Sequence, residues 1–146
     1  MKCRFLYDGH YEVYGKAYAH AGARVDAYQG AMVYARYGAK VHASSGSMVD
    51  SFSGSEVYAE SGARVYAFSG SEVHAGFDSA IYAGSGARVY ACYGAKVYAG
   101  SGSVVHALSG SVVDAQSNCV VYKMPGATVI EGPKTHVIKY GSDDNA

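Results

Sequence analysis

The chain has 146 residues, with 12 basic and 12 acidic side chains and a formal net charge of +0. This balance provides neither the basic patch of a nucleic-acid-binding protein nor the acidic excess of a nucleic-acid mimic. An apolar share of 49% is enough for a folded core and excludes a disordered chain. No apolar run approaches the roughly 20 residues that span a membrane, so we expect neither a nucleic-acid nor a membrane partner.

The chain begins with a segment that does not follow the later pattern. Residues 1–20 are rich in aromatic side chains and are interpreted as an N-terminal cap. They contain no long apolar stretch ending in small residues, which predicts the absence of a signal peptide. Cys3, Cys92 and Cys119 lack metal-type spacing and are typical of free thiols in a reducing compartment. We therefore expect a cytoplasmic protein.

A repeat of eight residues fills residues 21–117. Octads such as residues 61–68, SGARVYAF, follow one another in unbroken phase, and valine or isoleucine marks the fifth position of each. A regular period of this kind indicates a solenoid, in which each repeat packs on its neighbours. The fifth-position residues continue beyond the repeat and are Val25, Val33, Val41, Val49, Val57, Val65, Val73, Ile81, Val89, Val97, Val105, Val113, Val121, Val129 and Val137.

The octad reads x-G-[A/S]-x-V-x-A-x, and its positions alternate in character. The third, fifth and seventh positions carry small residues, namely alanine or serine, then valine, then alanine, whereas the fourth and sixth carry charged and aromatic residues. This period of two predicts a strand whose small residues face inward. The second position is glycine, with Asp78 and Asn118 as exceptions in the repeat. All three residue types tolerate positive φ, which predicts a left-handed turn residue there.

The number of octads in each coil follows from the columns that a coil would stack. At a spacing of 16, the sixth position alternates strictly between histidine and tyrosine over residues 42–122. A spacing of 24 would stack Lys40, Arg64 and Arg88 in one like-charged column, which is unfavourable. We predict an all-β parallel β-solenoid of either hand, with two octads (16 residues) per coil preferred over 24 and about seven coils.

The last octads depart from the pattern. Lys123, Glu131 and Lys139 replace alanine at the seventh position. Residues 118–141 are interpreted as degenerate repeats with a C-terminal cap, and residues 142–146 as a flexible tail. Outward positions become apolar in the same region, which predicts contact with the cap or a homo-oligomer through this end. These oligomer-contact candidates are Val104, Val112, Val120, Ile130 and Ile138.

Tyrosine and histidine at the outward sixth position form the one feature that has the character of a binding site. Tyrosine offers a large rigid area with a polar tip, which suits a protein or a sugar partner. Alternatively, the rings only stabilise a sheet whose interior is thin. The binding-face candidates fall in two columns at a spacing of 16. One column carries His42, Tyr58, His74, Tyr90, His106 and Tyr122, and the other carries Tyr34, Tyr66, Tyr82 and Tyr98.

Catalytic and metal-binding patterns are missing from the sequence. His42, His74 and His106 fall on alternate coils, about 9.6 Å apart, which is too far for one ion with bonds near 2 Å. The glycines are turn residues of a repeat and form no phosphate loop, and no nucleophile stands with a base. We therefore expect no enzyme, no cofactor, no catalytic residue and no metal site.

The octad resembles the repeat of bacterial ice-nucleation proteins, which reads like AGYGSTxT and pairs two octads in each coil. The match covers the glycine, the small residue after it, the later alanine, and the tyrosine before glycine at Tyr37 and Tyr93. That family has Thr-x-Thr ladders, whereas threonine occurs here only at Thr128 and Thr135. The chain is more similar, over residues 21–115, to octapeptide-repeat proteins of bacteria and their phages with runs such as GSATVRAYDSATVEAY.

Three functions are compatible with this sequence. The first is a non-enzymatic interaction protein that presents a flat Tyr/His-lined face to a protein, for example a phage-borne inhibitor of a host protein. The second is a self-assembling structural element, either an end-to-end polymer or a trimeric spike similar to the octad-built β-helix of phage tail spikes. The third is a glycan-binding module, because sugars stack on exposed rings.

Overall fold

The computed structural model describes residues 3–141, which form two parallel sheets of nine strands each. Strands alternate between the sheets, so that consecutive strands always lie in opposite sheets. The first sheet contains β1 (Arg4–Leu6), β3 (Lys16–Ala19), β5 (Met32–Ala35), β7 (Met48–Ser51), β9 (Arg64–Ala67), β11 (Ala80–Ala83), β13 (Lys96–Ala99), β15 (Val112–Ala115) and β17 (Thr128–Glu131). The second contains β2 (Gly9–Val13), β4 (Ala23–Ala27), β6 (Lys40–Ala43), β8 (Glu56–Ala59), β10 (Glu72–Ala75), β12 (Arg88–Ala91), β14 (Val104–Ala107), β16 (Val120–Lys123) and β18 (His136–Lys139).

The register between strands confirms the all-β parallel solenoid with 16 residues per coil. Lys40 of β6 lies beside Glu56 of β8, and Val41 beside Val57, so neighbours within a sheet are 16 positions apart. The chain runs along one sheet, turns, and returns along the other. The outer surfaces of the two sheets are therefore opposite faces of the molecule, called here the odd-strand face and the even-strand face.

The core is the thin layer between the sheets. The inward valines from Val13 to Val121 are fully buried, and so are the alanines that flank them. Some third positions carry serine, and the fold satisfies its hydroxyl locally: Ser71 Oγ donates to the carbonyl of Phe68 at 2.6 Å, and Ser103 Oγ to that of Gly100 at 2.7 Å. Small side chains can therefore fill this layer even where they are polar.

The turns confirm the left-handed conformation predicted at the second position of the octad. Asp78 and Asn118 have φ values of 54° and 62°, like the glycines that they replace. Lys134 adopts the same conformation with φ of 56°, although lysine gives no sequence signal for it. Successive turns also bond to one another, as where Gly54 N–H donates to the carbonyl of Gly70 at 3.0 Å.

The segments at the two ends also contribute strands to the sheets. Residues 4–19, within the segment interpreted as an N-terminal cap, form β1 to β3, and Gly9 of β2 lies beside Ala23, an offset of only 14 positions. Strands β16 to β18 continue both sheets through residues 120–139. The tail predicted at residues 142–146 lies outside the described residues.

Residues 3–141 include no helix long and apolar enough to cross a membrane.

Candidate functional site

Six rings on the even-strand face form one continuous stack, called here the His/Tyr ladder. Each ring comes from the sixth position of the octad on this face, and the 16-residue register places it directly beside the corresponding ring of the next coil. Adjacent centroids are 4.6 to 5.0 Å apart, with interplanar angles of 9° to 14°. The members, in order along the solenoid, are His42, Tyr58, His74, Tyr90, His106 and Tyr122.

The other four binding-face candidates lie on the opposite, odd-strand face. Tyr66, Tyr82 and Tyr98 stack at 5.0 Å and are called here the Tyr ladder. Tyr34 stacks instead on Tyr18, at 4.7 Å. The structure therefore brings the ten candidates together as two surfaces on opposite sides of the molecule, and a single flat partner cannot contact all ten.

Stacking determines which part of each ring a partner can reach. Tyr90 has His74 on one side at 4.9 Å and His106 on the other at 4.7 Å, so both of its ring faces are covered. Only the ring edges, with the tyrosine hydroxyls and imidazole nitrogens, point away from the sheet. The ladder thus offers a row of polar atoms at the spacing of the strands, about 4.8 Å.

Charged residues at the fourth position lie beside the ladder and bond to it. The Tyr58 hydroxyl donates to a Glu56 carboxylate oxygen, and this bond raises the pKa of Tyr58. Lys40 Nζ lies 3.7 Å from the other Glu56 oxygen. Glu72 lies between Glu56 and Arg88 in the register, so it has a like charge on one side and an opposite charge on the other.

These contacts also create a cluster that the sequence analysis did not anticipate. The histidines are too far apart to share a metal ion, but His74 Nε2 lies 3.1 Å from Glu72 Oε1 and 3.7 Å from Glu56 Oε1. The three ligand atoms lie within 4.8 Å of one another. The signal was present in the sequence, because a register of 16 stacks Glu56 on Glu72, and His74 follows two residues later on the same face.

His106 lies in the part of the ladder that has apolar neighbours. Its fourth-position neighbours include the half-buried Val104 and Val120. Burial lowers the pKa of His106, and the nearby Arg88 charge lowers it further. His106 is therefore held toward its neutral form, in which one ring nitrogen accepts and the other donates.

Residues at the variable first and eighth positions of the octad form an apolar surface that was not predicted from the sequence. A depression of about 900 Å³ lies along one turn edge of the solenoid. Phe52 and Phe68 stack there at 4.9 Å, and Tyr7 stacks on His20 at 4.8 Å. Tyr37 stands at the same edge with 75% of its surface exposed. These residues share no repeat column with the ladder candidates, which is why periodicity did not reveal them.

The oligomer-contact candidates also divide between the two faces. Val112 and Ile130 lie on the odd-strand face, where Ile130 is 57% exposed beside Asp114. Val104, Val120 and Ile138 lie on the even-strand face, and Ile138 follows Tyr122 in the ladder column. The candidates thus surround the C-terminal end without forming one patch.

Asp50 interrupts the stack on the odd-strand face and provides a stability prediction. It lies between Tyr34 and Tyr66, where a ring would join the two stacks. We expect Asp50→Tyr to raise the free energy of unfolding by about 1 to 2 kcal/mol through two new ring contacts. Urea denaturation at neutral pH measures this, and a lower stability of the variant would contradict it.

The pH dependence of stability provides a control for this test, because the charge of Asp50 depends on pH. Burial raises the pKa of its carboxyl group, so the folded state favours the neutral acid. The stabilising contribution of Asp50 is complete below its ordinary pKa near 4 and is lost as the pH rises through the raised value. We therefore expect Asp50→Asn to match the parent protein at about pH 3 and to exceed it at neutral pH.

Comparison with known proteins adds no assignment to this geometry. No protein-family model matches the chain. No curated protein matches it either. A solved structure that shows some similarity is the TibC-catalysed hyper-glycosylated TibA fragment, at 15% identity and a TM-score of 0.25, over 96% of this chain and 85% of that one.

Proposed function

We propose that this protein is a non-enzymatic interaction protein that binds another protein through the His/Tyr ladder on its even-strand face. The observation that carries the proposal is the unbroken stack from His42 to Tyr122, which holds six polar ring edges in one line. Each ring is held by its neighbours before any partner arrives. Binding therefore costs little side-chain entropy, which favours affinity at a flat surface.

The geometry favours a protein over a glycan. Sugar recognition by aromatic residues uses the open face of a ring, whereas the neighbours of Tyr58 lie at 5.0 Å and 4.7 Å on its two faces. The polar edges are instead suited to hydrogen bonds with the side chains and backbone of a protein. We propose inhibition of a host protein as one form of this function.

The charge pattern around the ladder also supports recognition and not catalysis. The titratable groups that converge, Glu56, Glu72 and His74, already bond to one another or to Lys40 and Tyr58. Groups satisfied in this way present a fixed pattern of charges to a partner, which contributes specificity.

A triple substitution tests the proposal without disturbing the stack. Changing Tyr58, Tyr90 and Tyr122 to phenylalanine removes three hydroxyls but leaves every ring in place. Each partner group that loses its hydrogen bond to a removed hydroxyl weakens binding by about 1 kcal/mol. We therefore expect the affinity of the triple variant to fall by about 100-fold. Proteins captured from a lysate of cells that carry the gene are identified by mass spectrometry, and the affinity of each is then measured.

The matched control makes the same chemical change on the opposite face. Tyr66, Tyr82 and Tyr98 changed to phenylalanine should leave the affinity unchanged. Equal loss in both triple variants, or no loss in either, would contradict the proposal.

A further inference from the structure

The two ends of the solenoid differ in how the core is closed. At the N-terminal end, Tyr11 lies over Val25 in the inward column, and its hydroxyl donates to the carbonyl of Asp8 at 3.0 Å. Arg4 reaches from β1 in one sheet to β2 in the other, where Nη1 donates to the carbonyl of Glu12 at 3.2 Å. A ring and a guanidinium group thus cover the core and satisfy one edge carbonyl.

The C-terminal end has no comparable closure among residues 3–141. Val129 and Val137 occupy the inward column, yet they are only half-buried, whereas the valines from Val13 to Val121 are fully buried. Strands β17 and β18 are the last of their sheets in this part of the chain, so each presents an unpaired backbone edge. An apolar layer flanked by two open edges favours pairing with further strands.

Two opposite charges lie at this end. Glu131 of β17 and Lys139 of β18 occupy the seventh position, where alanine faces inward in most other octads, and both are exposed. Because β17 and β18 run in opposite directions, the two side chains lie at opposite ends of the coil. Neither takes part in an ion pair among the described residues.

We propose that the C-terminal end binds a second copy of this chain, with a two-fold axis perpendicular to the sheets. This axis pairs β17 with β17 of the second copy and β18 with β18, both antiparallel. It also brings Glu131 of each copy to the same side as Lys139 of the other. An axis along the strands would instead place the two Glu131 side chains together, which is unfavourable.

The assembly closes at two copies. A two-fold interface uses the same surface on both chains, so one partner satisfies it, and Tyr11 and Arg4 lie over part of the opposite end of each chain. The inference is independent of the partner face proposed above, since the even-strand face remains open in such a dimer. A closed dimer is also distinct from the end-to-end polymer and from the trimeric spike, which are the two assemblies compatible with the sequence.

The size of the end determines how strongly it binds. Each side of the last coil is a strand of four residues with its flanking turns, which span about 20 Å, and two sheets with their side chains span about 20 Å, so the end buries roughly 400 Å² per copy. Stable interfaces bury about 800 Å² per partner, so we expect a dimer that dissociates on dilution.

Sedimentation velocity on the full chain, from about 1 to 300 µM, tests the proposal. We expect a monomer and a dimer in exchange, with no larger species. Glu131→Lys alone and Lys139→Glu alone should each weaken the dimer about tenfold or more, because each places like charges together. The double variant, with Glu131→Lys and Lys139→Glu together, should restore the dimer affinity to within about threefold of the parent protein, because it again places opposite charges together.

Glu60→Lys, at an exposed position far from this end, is the control and should leave the dimer unchanged. A monomer at every concentration, growth beyond the dimer, or a double variant that restores nothing would overturn the proposal. So would protection of the Val129 and Val137 amides from hydrogen exchange that does not depend on protein concentration, because the chain itself would then cover the end.

Discussion

Replacing Ala91 with leucine is expected to lower the free energy of unfolding by about 3 kcal/mol, or to prevent folding. Ala91 is fully buried between Ala75 and Ala107 of the neighbouring strands, in a layer filled mostly by alanine, serine and valine. Three added carbon atoms have no free volume to enter, so they must separate the sheets and stretch the hydrogen bonds of adjacent coils. Urea denaturation followed by circular dichroism measures the loss.

The same substitution on the outer surface is the matched control for this effect. Ala80 occupies the outward fourth position of β11, between Arg64 and Lys96. Ala80→Leu should change stability by less than about 0.5 kcal/mol, because no core contact is altered. Equal effects at the two sites would show that strand propensity, and not the thin inner layer, controls the loss of stability.

Tyr90→Ala, which truncates a ring inside the His/Tyr ladder, is expected to lower the free energy of unfolding by about 2 kcal/mol. The change removes two stacked contacts, at 4.9 Å to His74 and 4.7 Å to His106, and exposes the aliphatic surface beneath the ring. Tyr90→Phe keeps both contacts and should remain within about 0.5 kcal/mol of the parent protein. Chemical denaturation of the pair separates the ring from its hydroxyl.

This pair of variants also decides between the two interpretations of the ladder. A stable Tyr90→Phe protein that has lost affinity for its partner means that the ladder both stabilises the sheet and binds. A stable variant with full affinity means that the rings stabilise the sheet only. Tyr90→Ala with unchanged stability would contradict a structural role for stacking altogether.

The periodic features of the fold could be predicted because each repeat makes the same contacts as its neighbours. Val65 and Ala67 face inward by the alternation of a strand, and Asp78 reveals a left-handed turn because few residue types tolerate it. The like charges of Lys40, Arg64 and Arg88 disfavoured a spacing of 24, and Lys40 indeed lies beside Glu56, 16 positions away. Local sequence suffices for these features, since the register of 16 converts a sequence position directly into a spatial neighbour.

The features that break the repeat could not be predicted in the same way. Phe52 and Phe68 lie 16 positions apart, so the register stacks them, but the residue type at this position varies from octad to octad and gave no periodic signal of an apolar surface. Glu56, Glu72 and His74 were visible as separate residues, but side-chain conformation placed their ligand atoms together.

The sequence by itself determined the strands, the left-handed turns, the small inward residues and the coil of two octads, because these depend on contacts that recur every 16 residues. Only the tertiary structure decided that the ring faces of the candidates are covered by stacking and that the two ends differ. Arg4 reaching Glu12 and Val129 left half-buried depend on single contacts between non-repeating segments. Such contacts depend on the packing of particular side chains, which repeat periodicity does not encode.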